Sequence, residues 1–554
     1  MSILSLDKRI PLVFIIGYVC LSWGGQYALR TLWEPDEARY TYVAKEMSQS
    51  GNWLVPQRNG TYYAHKPPLM FWLIKASTLL TNGEFNGISG RLPTLLGAIL
   101  ALWALVRLAA LWYGHPIAWH AFFILSTSYL FWHKAGTGQI DMLLLGLELG
   151  ALYLLFKNSD STSAKERVIA FVFMGLAILA KGPVGLIVPV GIFVTGNILA
   201  GRKKRLLMPY WLWGIPLALS LPVFWLILVK LNHPPPGYLQ ELLFAQNMGR
   251  LQGTYGGHYK PFYYYFKYLG IDFLPWTLLM PAVLWILIKK KLWKKETLTL
   301  AGWILFVVIF FSFCGGKRNL YILSVYPAAS LLVASAVCPL DSPLPDRLRN
   351  ITVYLLLLVL FLFSQGAFWV PLFIPIPVSN LYFMPLGIIL LLGTVLLLHH
   401  QQKKGFTLGW IHRFIFIMVM VEFYVGTCIF PAFNPVKSPF SLAEAAQTRL
   451  AESQKLIYYQ MDGEIFSLYS NRGGVRVDNI GQLLSTMEEK GQGIAVFDNR
   501  VWDQLKPTLC QWGNTHYFEM GSKKLIWLEY DSMLYEKNKN TPCCSGSPDI
   551  IKSP

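Results

Sequence analysis

The chain has 554 residues, of which 54% are hydrophobic and only 14% are charged. Because soluble globular chains carry roughly 25% charged residues, this composition excludes an ordinary soluble protein. The net charge of +18 would indicate a nucleic-acid partner in a soluble chain. Here the positive charge lies in short loops between apolar runs, where it sets membrane topology, and no nucleic-acid-binding motif accompanies it. The sequence therefore predicts a polytopic α-helical membrane protein.

Long apolar segments follow one another along most of the chain, and each of about 20 residues can cross a bilayer as a helix. They predict about thirteen transmembrane helices and a membrane domain over residues 1–432, with long outer loops at 30–87 and 230–264. A break at Lys181-Gly182-Pro183 divides the apolar run 167–200 in two. The stretch Leu69 to Ile74 is too short to span and is predicted to be an interfacial helix. The segments are 11–28, 88–112, 116–133, 139–157, 167–181, 183–200, 207–229, 265–288, 298–314, 319–338, 351–373, 381–399 and 411–430.

The basic residues of the loops predict the orientation of these spans. Lys and Arg cluster in every second connection, which is typical of the cytoplasmic side of a bacterial membrane protein. The N-terminus is then cytoplasmic, the C-terminus is periplasmic, and the protein is predicted to lie in the bacterial inner membrane. The clusters are Lys8-Arg9, Lys157 with Lys165 and Arg167, Arg202 to Arg205, Lys289 to Lys295, Arg347 with Arg349, and Lys403-Lys404 with Arg413.

Beyond residue 432 the composition changes. Short alternating apolar stretches and an amphipathic helix near 480–489 predict a periplasmic α/β domain over 433–536. Residues 537–554 are rich in Lys, Asn, Ser and Pro and are predicted to be disordered. The spacing of the seven cysteines indicates neither a zinc site nor a disulfide framework.

An acidic run, Trp33-Glu34-Pro35-Asp36-Glu37-Ala38-Arg39-Tyr40, opens the first outer loop. Acids are poorly suited to snorkelling and are disfavoured beside anionic headgroups, so Asp36 is a candidate functional carboxylate. Asp141, at the outer end of a predicted span, is a second. One or two carboxylates would suit deprotonation of an acceptor or stabilisation of an oxocarbenium-like sugar.

Basic and aromatic residues occur on the same predicted face. Several cations converging there would suit a lipid phosphate, and aromatic rings would suit stacking on a sugar, although each could equally be an ordinary interfacial residue. No Gly-rich phosphate loop or Walker lysine is evident, which leaves the energy of reaction with an activated donor. The candidate substrate-binding residues are Arg39, Tyr40, Tyr63, Lys66, Lys181, Arg250, His258, Lys317 and Tyr321.

The order of these motifs resembles bacterial lipid A aminoarabinose transferases and the wider group of polyprenyl-phosphate-sugar transferases related to protein O-mannosyltransferases (glycosyltransferase families 83 and 39). The resemblance covers roughly residues 10–340. Its motifs are Pro35 to Tyr40, Tyr63-Ala64-His65-Lys66-Pro67, Gly138 to Asp141, Leu179 to Gly182, His258 to Tyr265 and Gly316 to Leu323.

The resemblance implies an inverting transferase of the C-type membrane fold with an undecaprenyl-phosphate-linked sugar as donor and lipid A or another periplasmic acceptor. Asp36 would be the leading catalytic carboxylate, assisted by Glu37 and Asp141. Lys66, Arg39 and Tyr321 would hold the donor phosphate. Whether Asp36 acts as a base or orients charge depends on whether the acceptor is a hydroxyl or an ionised phosphate, and the sequence leaves both roles open.

Two departures concern specificity. The aminoarabinose transferases carry an acid where this chain has His65, and a Glu-His pair where it has Gln246-Asn247. A metal bound at the second place would lose its ligands, so no metal is predicted there, and no cofactor is predicted at all.

Three alternative functions remain. One is a protein O-mannosyltransferase-like enzyme. Another is a transporter or flippase of lipid-linked sugars, which predicts ionisable groups near the membrane midplane and inverted repeats; the sequence indicates neither, because the charges cluster at one predicted face. The third is a structural membrane protein with an outer binding domain, which leaves the acids on that face unexplained.

Overall fold

The computed structural model describes residues 12–33, 35–158, 163–245, 249, 260–289, 293–337, 346–374, 378–438, 440–449, 456–461, 463–520, 523–538 and 549–550. Contacts divide the chain into two compact units. The membrane unit comprises 1–28, 64–73 and 91–429, and the C-terminal unit comprises 29–63, 74–90 and 430–554. Most of the first outer loop therefore belongs to the unit that holds the C-terminal region, whereas the sequence placed it in the membrane domain.

The longer α-helices are numbered in chain order. They are α1 (Leu12–Leu29), α2 (Asp36–Ser50), α3 (Leu69–Ser77), α4 (Gly87–Tyr113), α5 (His115–Ser126), α6 (Tyr129–Ala135), α7 (Ile140–Lys157), α8 (Ala164–Lys181), α9 (Val184–Leu199), α10 (Tyr210–Leu231), α11 (Tyr264–Ile271), α12 (Met280–Lys289), α13 (Lys295–Phe313), α14 (Tyr326–Val337), α15 (Asp346–Phe373), α16 (Met384–Lys404), α17 (Leu408–Tyr424), α18 (Phe440–Arg449), α19 (Glu464–Ser470), α20 (Ile480–Lys490), α21 (Asn499–Leu509) and α22 (Ser532–Asn538).

Among the described residues, eight helices are long and apolar enough to cross a membrane, or up to ten if each bent pair counts as one span. This criterion of length and hydropathy therefore counts fewer spans among the described residues than the thirteen predicted from apolar runs. The bent pairs are α6 with α7, at 111°, and α11 with the segment Trp276–Lys289, at 97°. Apolar composition cannot detect such bends, because both arms of a bent pair are equally hydrophobic. The predicted break at Gly182-Pro183 is confirmed, since α8 ends at Lys181 and α9 begins at Val184.

Small residues allow the helices of the membrane unit to approach closely. A Cβ on Gly97 of α4 would lie 2.5 Å from the carbonyl oxygen of Met142 in α7, and a Cβ on Gly146 would lie 2.4 Å from the carbonyl oxygen of Gly97. Close backbone contact of this kind is a common source of packing energy in membranes, where water supplies no hydrophobic drive. The pair fixes α7, which carries Asp141, against α4.

The C-terminal unit contains a mixed sheet of strand order β4-β3-β5-β7-β6-β8. Strand β3 is parallel to β4 and β5, whereas β7 is antiparallel to β5 and β6. Alternate residues of β3 point to opposite faces, so that Tyr458 joins one apolar cluster and Ile457 another. The strands are β3 (Leu456–Tyr459), β4 (Gly474–Val477), β5 (Gln492–Asp498), β6 (Gly513–Met520), β7 (Lys523–Asp531) and β8 (Asp549–Ile550), while β1 (Gln57–Arg58) and β2 (Thr61–Tyr62) form a separate hairpin.

Helix α2 of the first outer loop packs on this sheet unit. It begins after Pro35 with Asp36 and Glu37 in its first turn, where carboxylates favour the positive end of the helix dipole. It ends at Gly51, whose φ of 70° suits the left-handed C-terminal cap. Ala38 joins the apolar cluster that contains Tyr458, and Tyr42 packs with Leu468 of α19. The run that carries Asp36 is thus anchored through the core of the C-terminal unit.

Candidate active site

An ion pair joins two adjacent helices of the membrane unit. Asp141 lies in the first turn of α7 and Lys181 in the last turn of α8, and the Lys181 ammonium group pairs with the Asp141 carboxylate. The two side chains are only 8% and 10% exposed. Because an unpaired charge at this depth is costly, each group requires the other.

Tyr321 completes a cluster around this pair. The Lys181 ammonium lies 4.6 Å from the centroid of the Tyr321 ring, within the range of a cation–π contact. Tyr321 belongs to a short 3₁₀ helix, Asn319–Val325, that precedes α14. The structure therefore brings together three residues that the sequence selected separately, and the Lys181 cation contacts both a carboxylate and an aromatic face.

The segment before Tyr321 is held by polar contacts. The Asn319 amide nitrogen donates to both carboxylate oxygens of Asp272, at 3.1 and 3.3 Å. The buried Lys317 ammonium donates to the carbonyl oxygens of Lys260, at 2.9 Å, and Cys314, at 2.5 Å. Burial lowers the pKa of Lys317. At least two of the three ammonium hydrogens of Lys317 are thus directed at the backbone, which restrains the loop.

The acidic run forms a second arrangement, within the C-terminal unit. Asp36 and Glu37 are both buried, at 5% and 4% exposure. An Arg39 guanidinium nitrogen lies 3.8 Å from an Asp36 carboxylate oxygen. Glu37 forms an ion pair with the buried Arg30 and accepts a hydrogen bond from the backbone N–H of Trp33 at 3.0 Å. Glu37 therefore braces the turn between α1 and α2.

Asn434 holds the same turn from the other end of the chain. Its side-chain oxygen accepts hydrogen bonds from the Thr31 N–H at 3.1 Å, the Thr31 hydroxyl at 3.0 Å and the Trp33 indole N–H at 3.2 Å. Its amide nitrogen donates to the Leu29 carbonyl at 2.9 Å. The Tyr469 hydroxyl accepts from the Leu32 N–H at 2.6 Å. Residues from the C-terminal region thus fix the backbone immediately before Asp36.

The remaining predicted residues are distributed between the units. Tyr40 and Tyr63 are buried in the C-terminal unit, where burial raises the pKa of Tyr63 and Arg39 and Arg58 oppose the rise. Lys66 is buried in the membrane unit. His65 lies 3.7 Å from a Glu241 carboxylate oxygen. Arg250, His258 and the Gln246-Asn247 pair lie outside the described residues.

Sequence reasoning missed several polar residues that the structure places beside the predicted ones. Arg30 and Asn434 gave no signal, because their partners are set by tertiary contacts. Glu148 did give one, since it is an acid inside an apolar run. It lies in the middle of α7 and is 1% exposed, and Glu422 of α17 is also buried. Sequence reasoning considered only the ends of the predicted spans and therefore overlooked these two buried acids.

Within the described ranges, no group of three or more His, Cys, Asp or Glu side chains is arranged to hold a metal ion. Cys510 is disulfide-bonded. The spacing of the cysteines did not indicate this bond, because cysteine pairing is set by the tertiary structure and not by short motifs.

Comparisons with known proteins agree with this architecture. The family model described as dolichyl-phosphate-mannose-protein mannosyltransferase matches residues 65–228. An undecaprenyl phosphate-alpha-4-amino-4-deoxy-L-arabinose arabinosyl transferase of Edwardsiella ictaluri is 26% identical over 77% of this chain and 78% of its own length. Its counterpart in Shewanella sediminis is 30% identical over 61% and 60%. The match with arabinosyl transferase 2 of Proteus mirabilis, 27% identical, spans about half of each protein, 55% in both cases.

Solved structures show the fold. ArnT from Cupriavidus metallidurans, crystallised with undecaprenyl phosphate, aligns with a TM-score of 0.76 at 19% identity, covering 93% of this chain and 97% of that one. The apo oligosaccharyltransferase of Archaeoglobus fulgidus aligns at 0.51 and 11% identity, covering 96% and 77%. The chain is a multi-pass membrane protein of the C-type glycosyltransferase fold. More particularly, it is similar to the aminoarabinose transferases, so both the resemblance and the fold predicted from the sequence motifs are confirmed.

Proposed function

We propose that the chain is an inverting glycosyltransferase that moves a sugar from undecaprenyl phosphate to lipid A or another acceptor at the periplasmic face of the bacterial inner membrane. The observation that carries the proposal is the cluster of the buried Asp141 with Lys181 and Tyr321 in a chain similar to aminoarabinose transferases. A buried cation held by one carboxylate and one aromatic ring suits a ligand that is both anionic and partly apolar, such as a lipid phosphate.

Each residue then has a chemical task. In inverting transfer the sugar carbon forms its bond to the acceptor oxygen on the face opposite the departing lipid phosphate, which leaves with the bonding electron pair. Lys181 and Lys66 would stabilise the charge that develops on that phosphate, while Tyr321 and Arg39 would orient it. Asp36 would take the proton of a hydroxyl acceptor, or orient the sugar if the acceptor is an already ionised phosphate. The contacts of Glu37 with Arg30 and the Trp33 amide favour a supporting role over a direct one.

Two features, the positive charge of the loops and one disulfide bond, support the proposed location. The positive loops favour a cytoplasmic N-terminus, and the disulfide of Cys510 favours an oxidising compartment for the C-terminal unit. Both are consistent with a periplasmic C-terminus. A thiol-labelling reagent that cannot cross the inner membrane, applied to cells carrying single cysteines at Lys203 or Glu488, would report the two sides separately.

The direct test uses purified protein in detergent with undecaprenyl-phosphate aminoarabinose and lipid A, followed by mass spectrometry of lipid A. Gain of one aminoarabinose with the wild-type protein and its loss in Asp36→Asn support the proposal. Absence of product from folded, donor-binding wild-type protein overturns the choice of sugar or acceptor.

A protein acceptor is the second candidate, because the matching family model describes protein mannosyltransferases. It predicts transfer from a polyprenyl-phosphate hexose to a peptide hydroxyl. The same preparation incubated with polyprenyl-phosphate mannose and a Ser/Thr-rich peptide distinguishes the two, since only one acceptor should gain mass.

A further inference from the structure

Glu148 is a buried acid that the proposed mechanism does not use. It lies on α7 seven residues after Asp141, which places both side chains on the same face of the helix and about 10 Å apart along its axis. It is 1% exposed in the middle of a helix that crosses the membrane unit. An acidic side chain is expensive at such a position and usually functional.

The partner of Glu148 belongs to the segment that carries Tyr321. The Ser324 hydroxyl donates a hydrogen bond of 2.6 Å to a Glu148 carboxyl oxygen. The Ser324 carbonyl in turn accepts from the Trp303 indole N–H of α13 at 2.7 Å. Ser324 lies three residues after Tyr321, one turn along the 3₁₀ helix Asn319–Val325. The far end of this helix is held by Asp272 through Asn319.

These contacts connect two residues of α7, Asp141 and Glu148, to the same 3₁₀ helix. Asp141 pairs with Lys181, and Lys181 contacts the Tyr321 ring. Glu148 accepts a hydrogen bond from Ser324, which lies one turn further along the same 3₁₀ helix. A displacement of this helix would change the distance between Tyr321 and Lys181, and the hydrogen bond to Glu148 opposes such a displacement.

We propose that Glu148 is a positioning residue for donor binding: through Ser324 it fixes the 3₁₀ helix that presents Tyr321 to Lys181. The inference rests on the proposed function for the idea that Tyr321 and Lys181 meet the donor phosphate. It adds a residue that the sequence motifs did not include and gives the buried acid a task beyond packing.

The test compares three variants in the full-length protein. Glu148→Gln retains a side-chain oxygen that accepts from Ser324, Glu148→Leu removes it, and Ser324→Ala removes the donor. For Glu148→Leu and Ser324→Ala we expect KM for the lipid-linked donor to rise about three- to tenfold with a smaller change in kcat, since one hydrogen bond is lost. Glu148→Gln should stay within about twofold of wild type. The double variant Glu148→Leu/Ser324→Ala should be no worse than either single one.

A matched control distinguishes positioning from general loss of a buried polar group. Asn197 is a buried polar residue of α9 whose amide donates to the Phe193 carbonyl within its own helix. Asn197→Leu should leave KM unchanged. The proposal is overturned if Glu148→Gln raises KM as much as Glu148→Leu, if Ser324→Ala has no effect, or if Asn197→Leu gives the same rise.

A second measurement does not require turnover. Hydrogen exchange of the amides of residues 319–325, followed by mass spectrometry in detergent, should be faster in Glu148→Leu and Ser324→Ala and unchanged in Glu148→Gln. Unchanged exchange in all variants overturns the positioning role. Faster exchange together with a wild-type protein that neither binds undecaprenyl phosphate nor transfers a sugar overturns the proposed function and the donor-binding role, while the restraint on the 3₁₀ helix stands.

Discussion

Lys181 and Asp141 form a buried ion pair between the last turn of α8 and the first turn of α7. The two residues are 40 positions apart in the sequence, and they meet because α7 and α8 pack against each other as a hairpin. Its cation contacts the Tyr321 ring on a third element. If this cluster binds the donor as proposed, stability and ligand binding are coupled at one point of the membrane unit.

Asp141→Asn should destabilise the protein more than removal of both charges. The single variant leaves the Lys181 cation buried without its carboxylate, which costs on the order of 3 kcal/mol in the free energy of unfolding. The double variant Asp141→Asn/Lys181→Met removes the uncompensated charge and should recover part of this loss. Thermal unfolding in detergent checks the order. A double variant less stable than Asp141→Asn would contradict the coupling.

Asp36→Asn should abolish turnover and spare donor binding. If Asp36 deprotonates the acceptor or orients the reacting sugar, its neutral analogue should lower kcat by at least about a hundredfold. Glu37→Gln provides the comparison, because it weakens the ion pair with Arg30 and should lower the unfolding temperature as well as activity. Product formation and undecaprenyl phosphate binding are measured on both. Equal losses of binding in the two variants would argue against a catalytic role for Asp36.

Asn434 should prove important for activity although it lies almost 400 residues from the acidic run. Asn434→Leu removes four hydrogen bonds to residues 29–33, and we expect kcat to fall about tenfold or more because the backbone before Asp36 loses its restraint. Asn434→Asp keeps an oxygen that can accept from Thr31 and Trp33 and should retain more activity than Asn434→Leu. The reverse order of the two variants would exclude this explanation.

Lys45 should make the free energy of unfolding rise with pH in the alkaline range. It lies on α2, its ammonium donates to the Leu468 carbonyl at 3.1 Å, and burial lowers its pKa to about 8 from an unfolded value near 10.5. Between these two values the unfolded state binds more protons than the folded state, so stability contributed by this group rises as pH increases from about 8 to about 10.5. Below pH 8 the cost of burying the cation is fully present.

Thermal unfolding at pH 7.5 and pH 9.5 checks this sign. The unfolding temperature of wild type should rise relative to that of Lys45→Met when the pH is raised from 7.5 to 9.5. The reason is that Lys45 loses its proton in this range whereas methionine does not titrate. Parallel behaviour of the two proteins at both pH values would show that Lys45 does not contribute.

Residues close together in sequence were the ones that sequence motifs assigned best. The acidic run with Asp36 and the Lys181-Gly182-Pro183 break were identified from local composition, and α2 and α8 have the ends that such signals favour. By contrast, the turn before Asp36 is held by Asn434 and Tyr469, and no local pattern could reveal partners so far away in the chain.

The number of spans stays a prediction, because apolar runs record how hydrophobic a stretch is but not where a helix bends. The helix α11 and the segment Trp276–Lys289 are bent by 97° within the single predicted run 265–288. A second bend, of 111° between α6 and α7, precedes Asp141 in the first turn of α7.

By itself the sequence determined the membrane class and the identity of the candidate acids and cations, because transfer of apolar segments into lipid and the chemistry of ionisable groups depend on residue type. The C-type transferase fold was implied by the resemblance of the ordered motifs to a known family. Only the tertiary structure decided which of these groups meet. The ion pair of Lys181 with Asp141, the contact of Lys181 with Tyr321 and the hydrogen bond of Ser324 to Glu148 join residues of separate elements that meet only in the folded chain. Packing brings together residues that are far apart in the sequence, so no local segment determines its geometry.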